Sequence, residues 1–291
     1  MKFIDDFIKI SYANETELNY ATAYGLEHSL RFQVDNVARY VHDNSGTSKE
    51  YHIERHIPNV APLAPYMWFE YNGASVGCAP NEYFGCSLYI DYGRDEGIRM
   101  KKWESIDVPQ ERRWIVRAEY FAIKYSSDGQ YDLGVSEWIY FISIGEEGQV
   151  LSVSERENHR FPETSDDNER TKWNESIIIA LTAICFAHCK GAEVKEHQPS
   201  RQVRRHAERK GDPVYSYRTI DIGPASRVLR DEGNVSQNGI AKALHICRGH
   251  FAHYTEEKPL FGKYVGTVYK PMHFRGKAES GIVDKDYSIH S

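Results

Sequence analysis

Cysteine is scarce in this chain: there are five in 291 residues, spaced in no disulfide pattern. That excludes the small disulfide-stapled scaffolds and fits a reducing, cytoplasmic setting. Long hydrophobic runs are missing too. The longest, Ile177 to Ala187, falls well short of the roughly 20 apolar residues that a membrane span needs. Met1-Lys2-Phe3-Ile4-Asp5-Asp6 turns acidic at once, so no secretory signal and no membrane partner are expected. The common catalytic signatures are also absent. No G-x-x-x-x-G-K-[ST] phosphate loop, G-x-S-x-G elbow or H-E-x-x-H helix occurs, and nothing specifies a small-molecule reaction. Gly262-Lys263-Tyr264 lacks the preceding glycine and following hydroxyl of a phosphate loop. No internal repeat is found.

What is present is the mix of an ordinary folded protein, 41% hydrophobic and 27% charged. Twenty tyrosines against twelve phenylalanines favour half-buried or contact surfaces, because each ring carries a polar tip. The net charge of −6 conceals a division. Residues 1–186 carry 18 basic and 30 acidic side chains, whereas residues 187–291 carry 18 and 12. An anionic partner would therefore meet the C-terminal third. Two oppositely charged surfaces packed side by side account for the division equally well.

Periodicity predicts an α+β fold. The front, residues 1–45, reads as helical, with Leu18, Ala21, Leu26, Leu30, Val34, Val37 and Val41 at roughly helical spacing between Thr16 and Val41. Pro58, Pro62 and Pro65 mark an extended link. Strands are predicted at 66–71, 86–92, 114–123 and 138–144, separated by turn signals. Strands without intervening helices favour an antiparallel or mixed sheet. Asp166-Asp167-Asn168-Glu169 then starts a helix whose apolar residues run nearly all round, so it is expected to be buried. A basic segment, residues 200–210, a strand at 213–222 and a C-terminal strand pair follow. The change of period at Asp166 divides the chain into an acidic helical and strand-rich region, 1–165, and a buried helix with basic C-terminal strands, 166–291, as two domains or one continuous domain.

Several residue groups could carry chemistry. Cys185, His188 and Cys189, with His245, Cys247 and His250, have metal-ligand types, but buried thiols are the favoured reading and no metal or other cofactor is expected. Glu70, Asp91 and Glu119 fall on predicted strands, where isolated carboxylates usually face solvent. Arg201-x-x-x-x-His206, or Arg248-x-His250 with Tyr254, offers the residue types of a metal-independent ribonuclease: a histidine to move the proton and an arginine to hold the phosphate. A third group is Arg201, Arg204, Arg205, Arg209, Lys210 and Arg218 near Tyr215 and Tyr217, with Lys263, Lys270, Arg275 and Lys277 interleaved with Tyr264, Tyr269 and Phe274. Cations track phosphates while rings stack bases, so these residues fit RNA contact.

The densest feature is His245 to Tyr254 followed by Leu260 to Tyr269. Both segments alternate as strands, and Gly249 suggests a bulge in the first. One continuous strand would present Arg248 and His250 on one face, either as a site or as a buried polar network. The pattern His245-x-x-Arg248-Gly249-His250-Phe251, then Tyr254, then a strand ending near Pro271, resembles the C-terminal end of a phage and mobile-element protein family. That family includes a type V-A anti-CRISPR protein that lowers production of the host's effector nuclease. Pro213-Val214-Tyr215 through Gly223 and the apolar helix Ile177 to Ala187 occupy corresponding places, so the likeness spans roughly the last 110 residues. Phe251 stands where a tryptophan is common, and Gly262 to Arg275 is fuller than in the anti-CRISPR member.

The resemblance implies an anti-defence protein in the host cytoplasm that recognises a target polypeptide, either finished or nascent on a translating ribosome, and brings about loss of its message. The residues expected to bind peptide or RNA are Arg201, Arg204, Arg205, Tyr215, Tyr217, His245, Arg248, His250, Tyr264, Tyr269 and Arg275. A ribonuclease using Arg248, His250 and Tyr254, an RNA-binding protein, and a non-catalytic phage accessory protein are the alternatives.

Overall fold

A computed structural model describes residues 2–13, 24–45, 57–90, 112–128, 130–135, 138–157, 167–189, 192–210, 214–221, 243–247, 250–270, 273–275 and 277–282. Its centre is a nine-stranded mixed sheet. In chain order its strands are β1 (Leu30–Gln33), β2 (Tyr66–Asn72), β3 (Glu82–Ile90), β4 (Arg112–Tyr125), β5 (Tyr131–Val135), β6 (Trp138–Gly145), β7 (Val150–Glu157), β8 (Glu193–His197) and β9 (Tyr217–Asp221). The spatial order is β7-β6-β4-β3-β2-β1-β9-β8, with β5 beside the far half of the long β4. All pairings are antiparallel except those of β1, which runs parallel to both β2 and β9. β1 thus joins strands from either side of residue 165 into one sheet.

The four predicted middle strands are present as β2, β3, β4 and β6. The all-helical front is not. Among the described residues, helix α1 (Lys2–Ala13) and α2 (Asp35–Ser45) are separated by helical residues at 24–27 and then by β1. Leu26, Leu30 and Val34 are four apart, which satisfies a helical pattern, and only two apolar residues lie within β1 itself. A strand of four residues is too short for its own alternation to overrule that spacing.

Alternation on the strands divides two cores. On one face Met67, Phe69 and Tyr71 of β2, Cys86 and Leu88 of β3, Val116 and Ala118 of β4, and Ile142 of β6 pack beneath α2 and the 22-residue α3 (Asp167–His188). Helix α3 buries Ile179 to Phe186 almost without interruption, which explains its apolar circumference. Tyr71 and Ser176 hydroxyls meet at 2.6 Å beneath it.

On the other face α1 presents Phe3, Ile4, Phe7 and Ile8 to Trp68, Phe121 and Ile123. Burial of each such side chain contributes about 1.5–3 kcal/mol. The fit depends on Gly85, where an added Cβ would stand 2.3 Å from Trp68 Cζ2. Two charged groups pin the same helix. Glu70 Oε2 accepts from the Ile4 N–H in the first turn of α1 and from Trp68 Nε1, both at 3.2 Å. Arg31 of β1 reaches Asp5 at 2.7 Å. Glu70 and Glu119 are therefore buried, contrary to the solvent-facing expectation. Glu70 caps a helix end, and Glu119 pairs with Arg117 two positions away on the same strand face. Asp91 lies outside the described residues.

The C-terminal strands are β10 (Ala243–Cys247), β11 (His250–Tyr254), β12 (Gly266–Lys270), β13 (His273–Arg275) and β14 (Lys277–Ile282). β10 pairs with β13 and β11 with β12, both antiparallel. Cys247 faces His273 and His250 faces Lys270, so the interval is three residues on each strand. The bulge expected at Gly249 lies outside the described residues. The second apolar segment is shorter than expected. Its strand begins at Gly266, while Leu260 to Tyr264 closes a separate tight turn through the Leu260–Tyr264 bridge.

Candidate nucleic-acid interface

Helix α4 (Arg201–Lys210) is the predicted basic segment. It follows β8 after three residues, and Ser200 starts it. The Ser200 Oγ accepts from the Val203 N–H at 3.3 Å and its carbonyl accepts from the Arg204 N–H at 3.0 Å. Ala207 is its only buried residue. Arg201, Arg204, Arg205, Arg209 and Lys210 are all exposed. None of the five makes an ion pair among the described residues.

The neighbouring cations behave differently. Lys195 on β8 pairs with Asp221 at 2.6 Å, and Arg218 on β9 with Glu196 at 3.3 Å. Arg31 is committed to Asp5. Uncompensated positive charge is thus concentrated on α4. Its first turn carries no acid, so Arg201 and Arg204 add to the positive end of the helix dipole instead of offsetting it. At 1.5 Å per residue, Arg201, Arg205 and Arg209 rise in steps of about 6 Å along a slowly turning stripe.

The predicted ring partners are partly committed within the fold. The Arg31 guanidinium carbon lies 3.5 Å from the Tyr215 ring centroid, which occupies one face of that ring. Burial, then the Glu27 carboxylate, holds the Tyr215 hydroxyl above its usual range. Tyr217 stacks on His197 of β8, with centroids 4.9 Å apart and planes 17° from parallel. His197 Nε2 lies 2.8 Å from Thr219 Oγ1, which fixes the ring's rotation. His197 belongs to this group although the sequence pattern did not point to it. Glu193-Val194-Lys195-Glu196-His197 contains one apolar residue, so β8 leaves almost no alternation to read.

The C-terminal residues divide. Tyr269 is 4% exposed and packs against Phe186, with centroids 4.9 Å apart, and against Tyr40 and Phe251. It anchors the β11–β12 hairpin on α3 and is corrected from a contact residue to a core residue. Tyr254 is half-buried under Lys270 Nζ, 5.2 Å from its centroid. Tyr264 carries Lys263 Nζ at 4.9 Å on the turn between the strands. His245 stands opposite Arg275, and His250 opposite Lys270, in the strand registers. Arg248 lies outside the described residues, as does Gly249. No protein-family model, curated protein or solved structure matches the chain.

The remaining chemistry is limited. Arg201 and His206 are five residues apart and so point about 140° away from one another around α4, too divergent to act on one phosphate from a single helix. Cys185 and Cys189 are buried, and the contact with Cys185, then burial, holds the Cys189 thiol far above its usual range. The His188 Nε2 bonds the Ala61 carbonyl at 2.7 Å. Among the described residues no three His, Cys, Asp or Glu side chains gather as a metal-ligand group. Among them, too, no helix is long and apolar enough to cross a membrane.

Proposed function

We propose that the protein binds RNA through α4 and that this contact brings it to the message or ribosome from which a target polypeptide is made. The observation that carries the reading is the set of five exposed cations on a ten-residue helix with no ion pair among the described residues. A purely structural helix of this length would be expected to bury a stripe, yet α4 buries one alanine and leaves Val203 54% exposed. Phosphate neutralisation is the use of such a surface that its charge favours. The divergence of Arg201 and His206 favours binding over cleavage at this site.

The edge strand supports a companion reading. Among the described residues β8 pairs only with β9, and an open strand edge next to a cationic helix suits an extended polypeptide leaving a ribosome. On this reading the protein acts as the resemblance implies: it recognises a target segment and lowers its expression.

The test is fluorescence anisotropy with a short single-stranded RNA between about 50 and 200 mM salt. Each neutralised phosphate contributes about −0.7 to the log–log slope, so five cations give about −3.5. Arg204→Glu with Arg205→Glu should weaken binding at least tenfold and flatten the slope by about 1.4. No binding at the lowest salt, or a slope indifferent to the reversal, overturns the reading. For the companion reading, ribosomes recovered from a translating lysate should be released by puromycin. Recovery that ignores puromycin sinks the nascent-chain part alone.

A further inference from the structure

We infer that the RNA taken by α4 is single-stranded, and that His197, stacked on Tyr217, is a platform on which an unpaired base lies. The inference rests on the RNA reading and adds to it both a ligand class and a binding residue. His197 closes a cross-strand row. Ser87 of β3 faces Trp68 of β2, Trp68 faces Arg31 of β1, and Tyr217 of β9 faces His197 of β8. Phe32 is level with Arg218, which sets Arg31 level with Tyr217 in the parallel register. His197 is the last position in this row, because β8 ends the nine-stranded sheet.

One face of the His197 ring is occupied by Tyr217, and the Thr219 bond keeps the stack oriented. The ring is half-buried, and no described strand continues the row beyond it. A flat ring held rigidly at such an edge offers a next position in the stack, and a nucleobase fits that position whatever its identity.

Chain connectivity places the platform beside the cations. His197 and Arg201 are four residues apart, so their Cα atoms lie at most about 14 Å from one another. A strand whose phosphates follow Arg201, Arg205 and Arg209 can therefore turn a base toward His197. In a duplex every base is stacked and paired, so the ring could only be reached by a strand with free bases. Lys195 and Arg218 beside the rings are paired with Asp221 and Glu196, which leaves the rings to contribute stacking and α4 to contribute charge.

The experiment compares one RNA sequence as a single strand and as a duplex, against the full chain and two variants. The wild type should prefer the single strand by about tenfold or more, the scale of one base stacked on a ring. His197→Ala should lose that preference while keeping the salt slope, and His197→Phe should retain most of it. Ultraviolet crosslinking of the wild type to thiouridine-containing RNA should mark His197 or Tyr217. Equal affinity for duplex, or crosslinks confined to α4, overturns the platform and leaves the α4 reading intact. Absence of any salt-dependent binding by the wild type is the separate outcome that removes the reading beneath it.

Discussion

Glu70 makes folding of this protein depend on pH in a direction opposite to that of most carboxylates. It is 4% exposed, and burial is the dominant influence on it, pushing its carboxyl from the ordinary 4.5 up to about 6. The hydrogen bonds from Trp68 and Ile4 act the other way and do not overcome that burial. The folded state therefore holds the proton more tightly than the unfolded chain does. Between about pH 4.5 and pH 6 the native state carries more bound protons, so stability falls as pH rises through that window and stays lowered above it. A displacement of this size corresponds to about 2 kcal/mol of stability absent at neutral pH.

Glu70→Gln isolates the effect. The amide oxygen can accept from Ile4 and Trp68 as the carboxylate does, and it never carries the charge. Urea unfolding of both proteins at about pH 4.5 and again at about pH 7.5 cancels every other titrating group. Near pH 4.5 the two should differ little, and near pH 7.5 the glutamine variant should be more stable by about 2 kcal/mol. Parallel stability profiles, or a wild type that gains on the variant as pH rises, would show that Glu70 is ionised at little cost. The α1 cap would then be charged at all working pH values.

Two further outcomes follow from the packing. Gly85→Ala puts a methyl 2.3 Å from the Trp68 ring and 3.0 Å from Phe3, so it should cost about 1–3 kcal/mol and loosen α1. A melt and a near-ultraviolet dichroism spectrum identical to the wild type would refute that fit. Phe261 holds φ at +54° and is 52% exposed, so its ring offsets little of the left-handed strain. Phe261→Asn should raise stability by about 0.5–1 kcal/mol in the same urea assay, and a loss would mean that the ring is held by contacts of its own.

How much of this was legible depended on how far each signal extends along the chain. β2, β3, β4 and β6 carry runs of aromatic and β-branched residues, and α3 has enough length to be unmistakable. β1 and β8 have five or fewer residues and are strands because of what lies beside them. Arg31 is buried in β1 only because Asp5 comes back over the sheet on α1. Tyr269 shows the same limit at the level of the site. Val268 and Tyr269 must point to opposite sides of β12, and both are buried, so alternation cannot tell which side meets solvent. α4 was readable by composition, whereas His197 becomes significant through Tyr217, twenty residues later.

The charge division is where sequence and structure complete one another. From the sequence, the basic C-terminal third could either await an anion or neutralise the acidic front of its own chain. On β8 and β9 neutralisation is what happens, and it happens locally, through Glu196 and Asp221 of the same third. On α4 no acid from the described front half approaches. The first turn of a helix is where the dipole favours aspartate or glutamate, yet arginines stand at 201 and 204. A helix that forgoes its own electrostatic stabilisation, buries a single alanine and leaves five cations in solvent is poorly explained by folding. Its residues make sense against a polyanion, and the adjoining His197–Tyr217 stack limits which polyanion to one with bases to spare.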